Sequence, residues 1–150
     1  IDAMDDVGGE LMMVLASWRD RKERQLHAVD IRLDWVIENR EGLPTFVGLR
    51  PSHKLNVLRI LEEAVTNVVK HAGARAVEVR LGKATNEQGD EIGRIVVLDD
   101  GRGGAQINRS GRGLQNMERR AAALGARLLI SSDNPGTRLQ LDIPVALPEI

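Results

Sequence analysis

Residues 62–72, EEAVTNVVKHA, constrain the fold and the chemistry of this chain more than any other stretch. On a helix, the apolar residues of this stretch form one stripe, which predicts packing against a core. Glu63, Asn67 and Lys70 fall together on another face. A carboxylate can polarise a nucleophile, a carboxamide oxygen can bind Mg²⁺, and an amine can offset phosphate charge. The row suits phosphoryl chemistry, but on this helix alone ordinary surface charges are the simpler explanation.

Length and composition limit the number of domains and the classes of function that this chain can have. The 150 residues, 42% of them hydrophobic, predict one domain, 1–150, with a real core. A net charge of −1 and only three aromatic residues argue against nucleic-acid binding. Cysteine is absent, and no apolar run is long enough to cross a bilayer. Because the chain begins with Ile1, we expect a fragment of a longer protein.

Hydrophobic periodicity predicts an α+β fold. Apolar residues at helical spacing predict helices, and alternation predicts strands. We expect Ser52 to cap the second helix, Gly73 to end it, and residues 83–91 to form a hairpin connection. Strand 92–98 is so apolar that it should be central. The predicted helices span 7–27, 52–71 and 114–124, and the predicted strands lie within 27–37, 76–82, 92–98, 126–132 and 137–145.

The segment VVLDDGRGG, residues 96–104, carries the second candidate site. An apolar strand runs directly into two aspartates followed by closely spaced glycines. Asp99, at the end of that strand, can accept a hydrogen bond from an exocyclic amine such as that of adenine, and glycines let backbone approach a flat ligand. A tight turn is the alternative, since Asp-Gly is an ordinary turn signal.

The third segment is SGRGLQNMERRAAALG, residues 110–125, where glycines lead into a helix. Free backbone N–H groups at a helix start can bind phosphate. The third glycine of a dinucleotide fingerprint is missing, and so is a phosphate-loop lysine followed by serine or threonine. Both of these common nucleotide-binding folds are therefore disfavoured.

The three segments, in this order and followed by PGTRLQLDIP, resemble the N, G1 and G2 boxes and terminal strand of the catalytic ATP-binding domain of sensor histidine kinases. The similarity is strongest to the branch that signals to helix-turn-helix response regulators. It implies a two-layer α/β sandwich of the Bergerat type, shared with gyrase and heat-shock protein 90. We expect a mixed, mainly antiparallel sheet of about five strands with about three helices on one face.

The resemblance also implies roles for individual residues. Glu63 is the candidate catalytic base, and Asn67 would coordinate Mg²⁺. The adenine amine would bind Asp99. The remaining nucleotide-binding positions implied by the resemblance are Lys70, His71, Gly101, Gly103, Gly111, Gly113, Leu114 and Thr137.

Three departures from the family pattern stand out. Gly104 occupies a position where relatives commonly have phenylalanine, and the lid, residues 105–110, is short. No segment resembles the two-helix dimerisation element that carries the phosphorylated histidine. Relatives usually follow that histidine with an acidic residue in a long helix, which neither His27 nor His53 matches. We therefore expect both to be surface or structural residues.

The resemblance implies a function. Such a domain would bind ATP with Mg²⁺ and donate the γ-phosphoryl group to a histidine on a separate dimerisation domain. The partners would be that phosphoacceptor domain and a response regulator, in a homodimeric parent protein. The domain would be cytoplasmic, with membrane anchoring of the parent left open. The alternatives are an anti-sigma-factor serine kinase, whose N box looks much the same, and a nucleotide-sensing interaction module without catalysis.

Overall fold

The computed structural model describes residues 7–101, 112–132 and 136–149, with the side chains of residues 7–10, 71 and 72 excepted. Five strands form one sheet in the order β1-β2-β3-β5-β4. β1 pairs with β2 in parallel, and the other neighbours are antiparallel. The strands are β1 Arg32–Ile37, β2 Ala76–Thr85, β3 Glu91–Asp99, β4 Arg127–Ser131 and β5 Arg138–Pro144. The prediction of a mixed, mainly antiparallel sheet is confirmed.

Three α-helices cover one face of this sheet. They are α1 Val7–His27, α2 Pro51–Asn67 and α3 Arg112–Ala123, and α2 continues into a π-helical turn, Val68–Ala72. Gly73 follows with φ 62°, the left-handed conformation that glycine adopts most easily, so the predicted helix end is confirmed. Because α2 and the π turn connect β1 to β2, these two strands can run parallel.

Period-2 alternation on the strands builds the core. Val77, Val79 and Leu81 of β2 are fully buried beneath the helices. Ile95 and Val97 extend the same layer on β3, which lies at the centre of the sheet as predicted. The helices contribute large buried side chains to this layer, namely Leu11, Leu15, Trp18, Ile60, Leu61 and Met117. Since residues of one parity on β3 face this core, Asp99 ends the strand on the helix side of the sheet.

The first strand begins later than predicted. The structure has β1 starting at Arg32, whereas the sequence pattern placed Val29 on a buried strand face. Val29 is 52% exposed, in a turn where Asp30 adopts φ 62° and the Ile31 amide bonds back to Leu26 O at 2.9 Å. This left-handed residue reverses the chain direction after α1, so the alternation of residues 27–31 was coincidental.

The start of α2 also differs from prediction, because Ser52 is not its cap. The N-cap is Arg50, and Pro51 occupies the first helical position, where its fixed φ is favourable. His53 is completely buried: its Nδ1 accepts the Arg50 amide at 2.9 Å, and its Nε2 donates to Pro148 O at 2.7 Å. His53 was expected to be a surface or a structural residue, and it is the latter, because its ring joins α2 to the C-terminal segment.

One helix type and one boundary differ from the prediction. The predicted helix 52–71 ends before Gly73 as expected, but it is α-helical only to Asn67, and Val68–Ala72 form the π turn. Within the predicted connection 83–91, residues 83–85 and 91 belong to β2 and β3, so only residues 86–90 form the turn. Within that turn Asn86 Oδ1 accepts the amides of Gln88 and Asp90 at 3.0 and 2.9 Å. This side chain supplies the turn's hydrogen bonds, which lets both strands extend further into a polar segment.

Candidate functional site

Asp99 lies half-buried where the central strand ends. Its Oδ1 accepts the Gly101 amide at 2.8 Å, and its own amide donates to Thr137 O at 3.1 Å. Gly101 is buried beside it. A carboxylate has about four lone-pair positions, so acceptor capacity remains after the bond from Gly101. The structure thus brings together Asp99, Gly101 and Thr137, three of the residues predicted to contact a nucleotide.

Burial raises the pKa of the Asp99 carboxyl above its ordinary value. Backbone hydrogen bonds from Gly101 and Thr137 oppose the shift, and the charge of Asp100 adds to it. Desolvation is the largest cause, so the folded chain holds this carboxylate at a cost when no partner compensates it. A hydrogen-bond donor arriving from a ligand would offset that cost.

Gly136 is a site residue that sequence reasoning missed. It has φ 85° and immediately precedes Thr137. A Cβ at this position would lie 1.9 Å from Asp99 O and 3.1 Å from Asp99 Oδ1. Only glycine can therefore bring the start of β5 this close to the end of β3. The sequence signal was the Pro-Gly turn before the last strand, which did not indicate a contact with Asp99.

Asp100, unlike Asp99, bonds to the backbone of a neighbouring strand. Its Oδ1 accepts the amides of Arg75 and Ala76 at 2.8 and 3.0 Å. The bond from Ala76 is the main cause that lowers the pKa of the Asp100 carboxyl. Asp100 therefore fastens the start of β2 to the end of β3, while Asp99 faces the core side.

The predicted polar row lies on α2 and the π turn. Glu63 and Asn67 are half-buried on α2, and Lys70 is exposed within the π turn. A π turn has more residues per turn than an α-helix, so Lys70 does not point where a regular helix would direct it. Such turns occur frequently at functional sites. Glu63 and Asn67, four residues apart on α2, therefore share one helix face, whereas Lys70 on the π turn departs from that regular spacing.

Glu63 meets the first turn of α3. A Cβ at Gly113 would lie 2.7 Å from Glu63 Oε2 and 3.1 Å from its Cδ. Leu114, which follows Gly113 and was also predicted to bind the nucleotide, packs against the core. Glu63 also borders a cleft of about 390 Å³ between α1, α2 and α3, together with Thr66, Asn116 and Met117. The candidate base is thus accessible from the helical side of the molecule.

The neighbouring Glu62 joins α2 to α1. Its Oε1 accepts the indole N–H of Trp18 at 2.9 Å, and its Oε2 accepts Lys22 Nζ at 2.8 Å. Trp18 and Lys22 are only 1% and 9% exposed. Glu62 and Glu63 both border the cleft, but Glu62 bonds to α1 whereas Glu63 lies against Gly113 of α3.

Several predicted residues lie outside the described part of the chain. Gly103, Gly104, Gly111 and the lid, residues 105–110, fall in the undescribed interval, and the side chain of His71 is likewise not described. Within the described ranges, no group of three or more His, Cys, Asp or Glu side chains could hold a metal ion.

A half-buried carboxylate at the end of the central strand and a polar row on α2 are the arrangement that the resemblance implies for a sandwich of the nucleotide-binding class. Residues 53–147 match the histidine kinase-, DNA gyrase B- and HSP90-like ATPases, and the chain belongs to this family. More particularly, it matches the catalytic ATP-binding domain of sensor histidine kinases. The resemblance stated from the N, G1 and G2 boxes is therefore confirmed, although the helix-turn-helix branch is not specified.

The chain is 31% identical, over 142 residues, to the histidine-protein kinase/phosphatase UhpB of Salmonella typhimurium, covering 94% of this chain and 25% of that protein. It superposes on the histidine kinase domain of a blue-light activated kinase of Erythrobacter litoralis with a TM-score of 0.61, at 21% identity, covering 87% and 65% of the two chains. Full-length ShkA in complex with AMPPNP gives a TM-score of 0.64 at 22% identity, covering 97% and 31%. These structural similarities establish the fold.

The chain spans about a quarter of the length of the curated relatives it matches. Among the described residues, no helix has both the length and the apolar character that a bilayer span requires.

Proposed function

We propose that this chain binds Mg–ATP and donates the γ-phosphoryl group to a histidine on the dimerisation domain of a sensor histidine kinase. The observation that carries the proposal is the Asp99 arrangement. A desolvated carboxylate at the end of the central strand, with Gly101 and Gly136 against it, suits the exocyclic amine of adenine. The AMPPNP bound to ShkA, which has the same fold, supports the choice of nucleotide.

The α2 row supports the assignment of the phosphate end. Asn67 would supply one oxygen to Mg²⁺, which keeps several waters and takes further ligands from phosphates. This donor set fits Mg²⁺ better than a metal that needs several protein ligands, given that the described residues offer no acidic or histidine cluster. Lys70, exposed in the π turn, would neutralise phosphate charge. The magnesium ion would supply charge neutralisation at the β- and γ-oxygens.

Glu63 would assist the acceptor. In the transfer, an imidazole nitrogen forms the new bond to phosphorus, the bond from the γ-phosphorus to the bridging oxygen breaks, and ADP leaves. The imidazole proton passes to Glu63, which the cleft beside α3 leaves accessible. Most of the rate would come from positioning and charge neutralisation, as in other phosphoryl transfers.

The wider context follows from the same proposal. The acceptor histidine would lie on a dimerisation domain of the parent kinase, which would act as a homodimer and pass the phosphoryl group to a response regulator. The domain would work in the cytoplasm, whether or not the parent is anchored in a membrane. Because its acceptor is elsewhere, the chain alone should bind ATP but hydrolyse it slowly.

Calorimetric titration with ATP, with and without Mg²⁺, tests the proposal. We expect saturable binding that Mg²⁺ strengthens. Asp99→Asn should weaken it at least about tenfold, because a neutral amide oxygen is a weaker hydrogen-bond acceptor than a charged carboxylate. Asp100→Asn is the matched control, because its contacts are to backbone amides. Absence of binding by the folded chain would overturn the proposal and favour a module without catalysis.

The serine-kinase alternative is tested by its acceptor. An anti-sigma-factor kinase would phosphorylate a serine-bearing antagonist protein from ATP. Acid-stable phosphoserine on such a protein would contradict the histidine assignment, because phosphohistidine is labile in acid.

A further inference from the structure

The contact between Glu63 and Gly113 lies outside the roles assigned so far, since Gly113 was predicted only as a nucleotide-binding position. Gly113 is in the first turn of α3, and 50 residues separate it from Glu63. It is also one of the glycines at which an added Cβ would meet a side chain at under 3 Å, in this case Glu63 Oε2 at 2.7 Å. The Glu63 carboxylate therefore occupies the space that a side chain at position 113 would need.

We propose that Gly113 is a positioning residue for Glu63: its lack of a side chain fixes where the candidate base lies against α3. This inference rests on the proposed function, because it assigns Glu63 a role in phosphoryl transfer. It separates two reasons for a glycine here. A glycine needed by the nucleotide would govern affinity, whereas a glycine needed by Glu63 governs the rate after binding.

The size of the rate loss expected for Gly113→Ala follows from how the new methyl group would meet Glu63. The atom nearest to an added methyl group is the far end of a flexible side chain, so the carboxylate can move aside and the fold survives. An ordinary contact needs about 3.4 Å or more, so the carboxylate must shift by several tenths of an ångström. Misplacement of a reacting group by about 1 Å can cost about 100-fold in rate. Alanine also favours a helix more than glycine does, so the variant should be at least as stable as the parent chain.

The test is a double-mutant cycle on the chain itself. Gly113→Ala and Glu63→Asp are made singly and together, since aspartate withdraws the carboxylate by one methylene and leaves room for the methyl group. Gln115→Ala, on the exposed side of α3, is the helix-propensity control. Three quantities are measured for each variant: the single-turnover rate of Mg–ATP hydrolysis, the dissociation constant for ATP by calorimetry, and the unfolding temperature.

We expect Gly113→Ala to slow hydrolysis by about 10-fold or more while changing the ATP dissociation constant less than about twofold. In the Glu63→Asp background the same substitution should slow hydrolysis less than about twofold, because the steric conflict is gone. It should also raise the unfolding temperature more in that background than beside Glu63. Gln115→Ala should leave the rate unchanged.

Equal losses of rate in both backgrounds would overturn the inference. So would a loss of ATP affinity as large as the loss of rate, because that result assigns Gly113 to the nucleotide. The proposed function fails separately, if the unmodified chain does not bind Mg–ATP. In that case the unfolding temperatures still test whether Glu63 lies against Gly113. Equal effects of Gly113→Ala beside Glu63 and in the Glu63→Asp variant would show that the Glu63 carboxylate does not occupy the space next to Gly113.

Discussion

Replacing Glu62 by alanine should destabilise the chain far more than the same change at Glu63. Glu62 accepts hydrogen bonds from Trp18 and Lys22, two donors on α1 that are almost fully buried. Hydrogen bonds to a charged group contribute about 1.5–3 kcal/mol each, and a buried donor left without a partner costs about 1–3 kcal/mol.

Two features reduce that sum. The Glu62 side chain is 46% exposed, so water screens the ion pair. Lys22 also keeps its bond to Gln25 Oε1 at 2.8 Å, so only the indole N–H of Trp18 loses its described acceptor. We therefore expect a loss of about 2 kcal/mol, which for a domain of this size lowers the melting temperature by about 4–8 °C.

The assay is urea unfolding followed by the fluorescence of Trp18 and Trp35, whose ring centroids are 6.3 Å apart, and thermal unfolding serves as a second measure that also applies when Trp18 is replaced. Glu63→Ala is the matched control, since it removes the same atoms one position along and should change stability by less than about 1 kcal/mol. Trp18→Phe adds a second test, because it removes the indole donor and should make Glu62→Ala cost less. Equal destabilisation by Glu62→Ala and Glu63→Ala would refute the assignment of Glu62 as the link between α1 and α2.

Three further predictions concern the end of β3. Asp99→Asn should leave the ligand-free chain at least as stable at pH 7 as the unmodified chain. The reason is that burial raises the pKa of the Asp99 carboxyl, so folding disfavours its charged form. A clear fall in the melting temperature would contradict this. Gly136→Ala should cost about 2–5 kcal/mol in chemical denaturation, from a Cβ 1.9 Å from Asp99 O at φ 85°, and unchanged stability would show that the turn rearranges freely. Asp100 has a lowered pKa, so its contribution to stability is present above its ordinary pKa, near pH 4, and is lost as pH falls through the folded value. Asp100→Ala should accordingly lower the melting temperature at pH 7 more than at pH 3, and an equal effect at both pH values would contradict the role of the charge.

The sequence predicted best where one strong local pattern decided the structure. The apolar run of residues 92–98 placed β3 at the centre of the sheet, because only a central strand is covered so completely. The first helix has the predicted bounds, Val7–His27, since its apolar spacing is unbroken and a turn follows at once. The family resemblance supplied the candidate site, of which the structure places Asp99, Gly101 and Thr137 close together.

What could not be predicted depends on contacts between distant segments. The meeting of Glu63 with Gly113 and of Gly136 with Asp99 requires α2, α3, β3 and β5 to be in place, and no local pattern encodes such an approach. The π turn after Asn67 has no simple sequence signal. Ser52 suits an N-cap by residue type, but Pro51 occupies the first helical position and Arg50 is the N-cap, so the proline was the stronger local signal. The bond from His53 to Pro148 O joins distant segments, and neither residue alone predicts it.

The strand order has a consequence for synthesis of the chain on the ribosome. β3 ends at Asp99, but its second neighbour, β5, is completed only at Pro144. The 45 residues between them take roughly 2–9 s to translate at ordinary rates. During that interval one edge of the most apolar strand has no partner, and an unpaired strand edge invites association with other chains. The nascent domain therefore depends on its last segment to cover its centre, and holdase chaperones should bind it most strongly before β5 emerges.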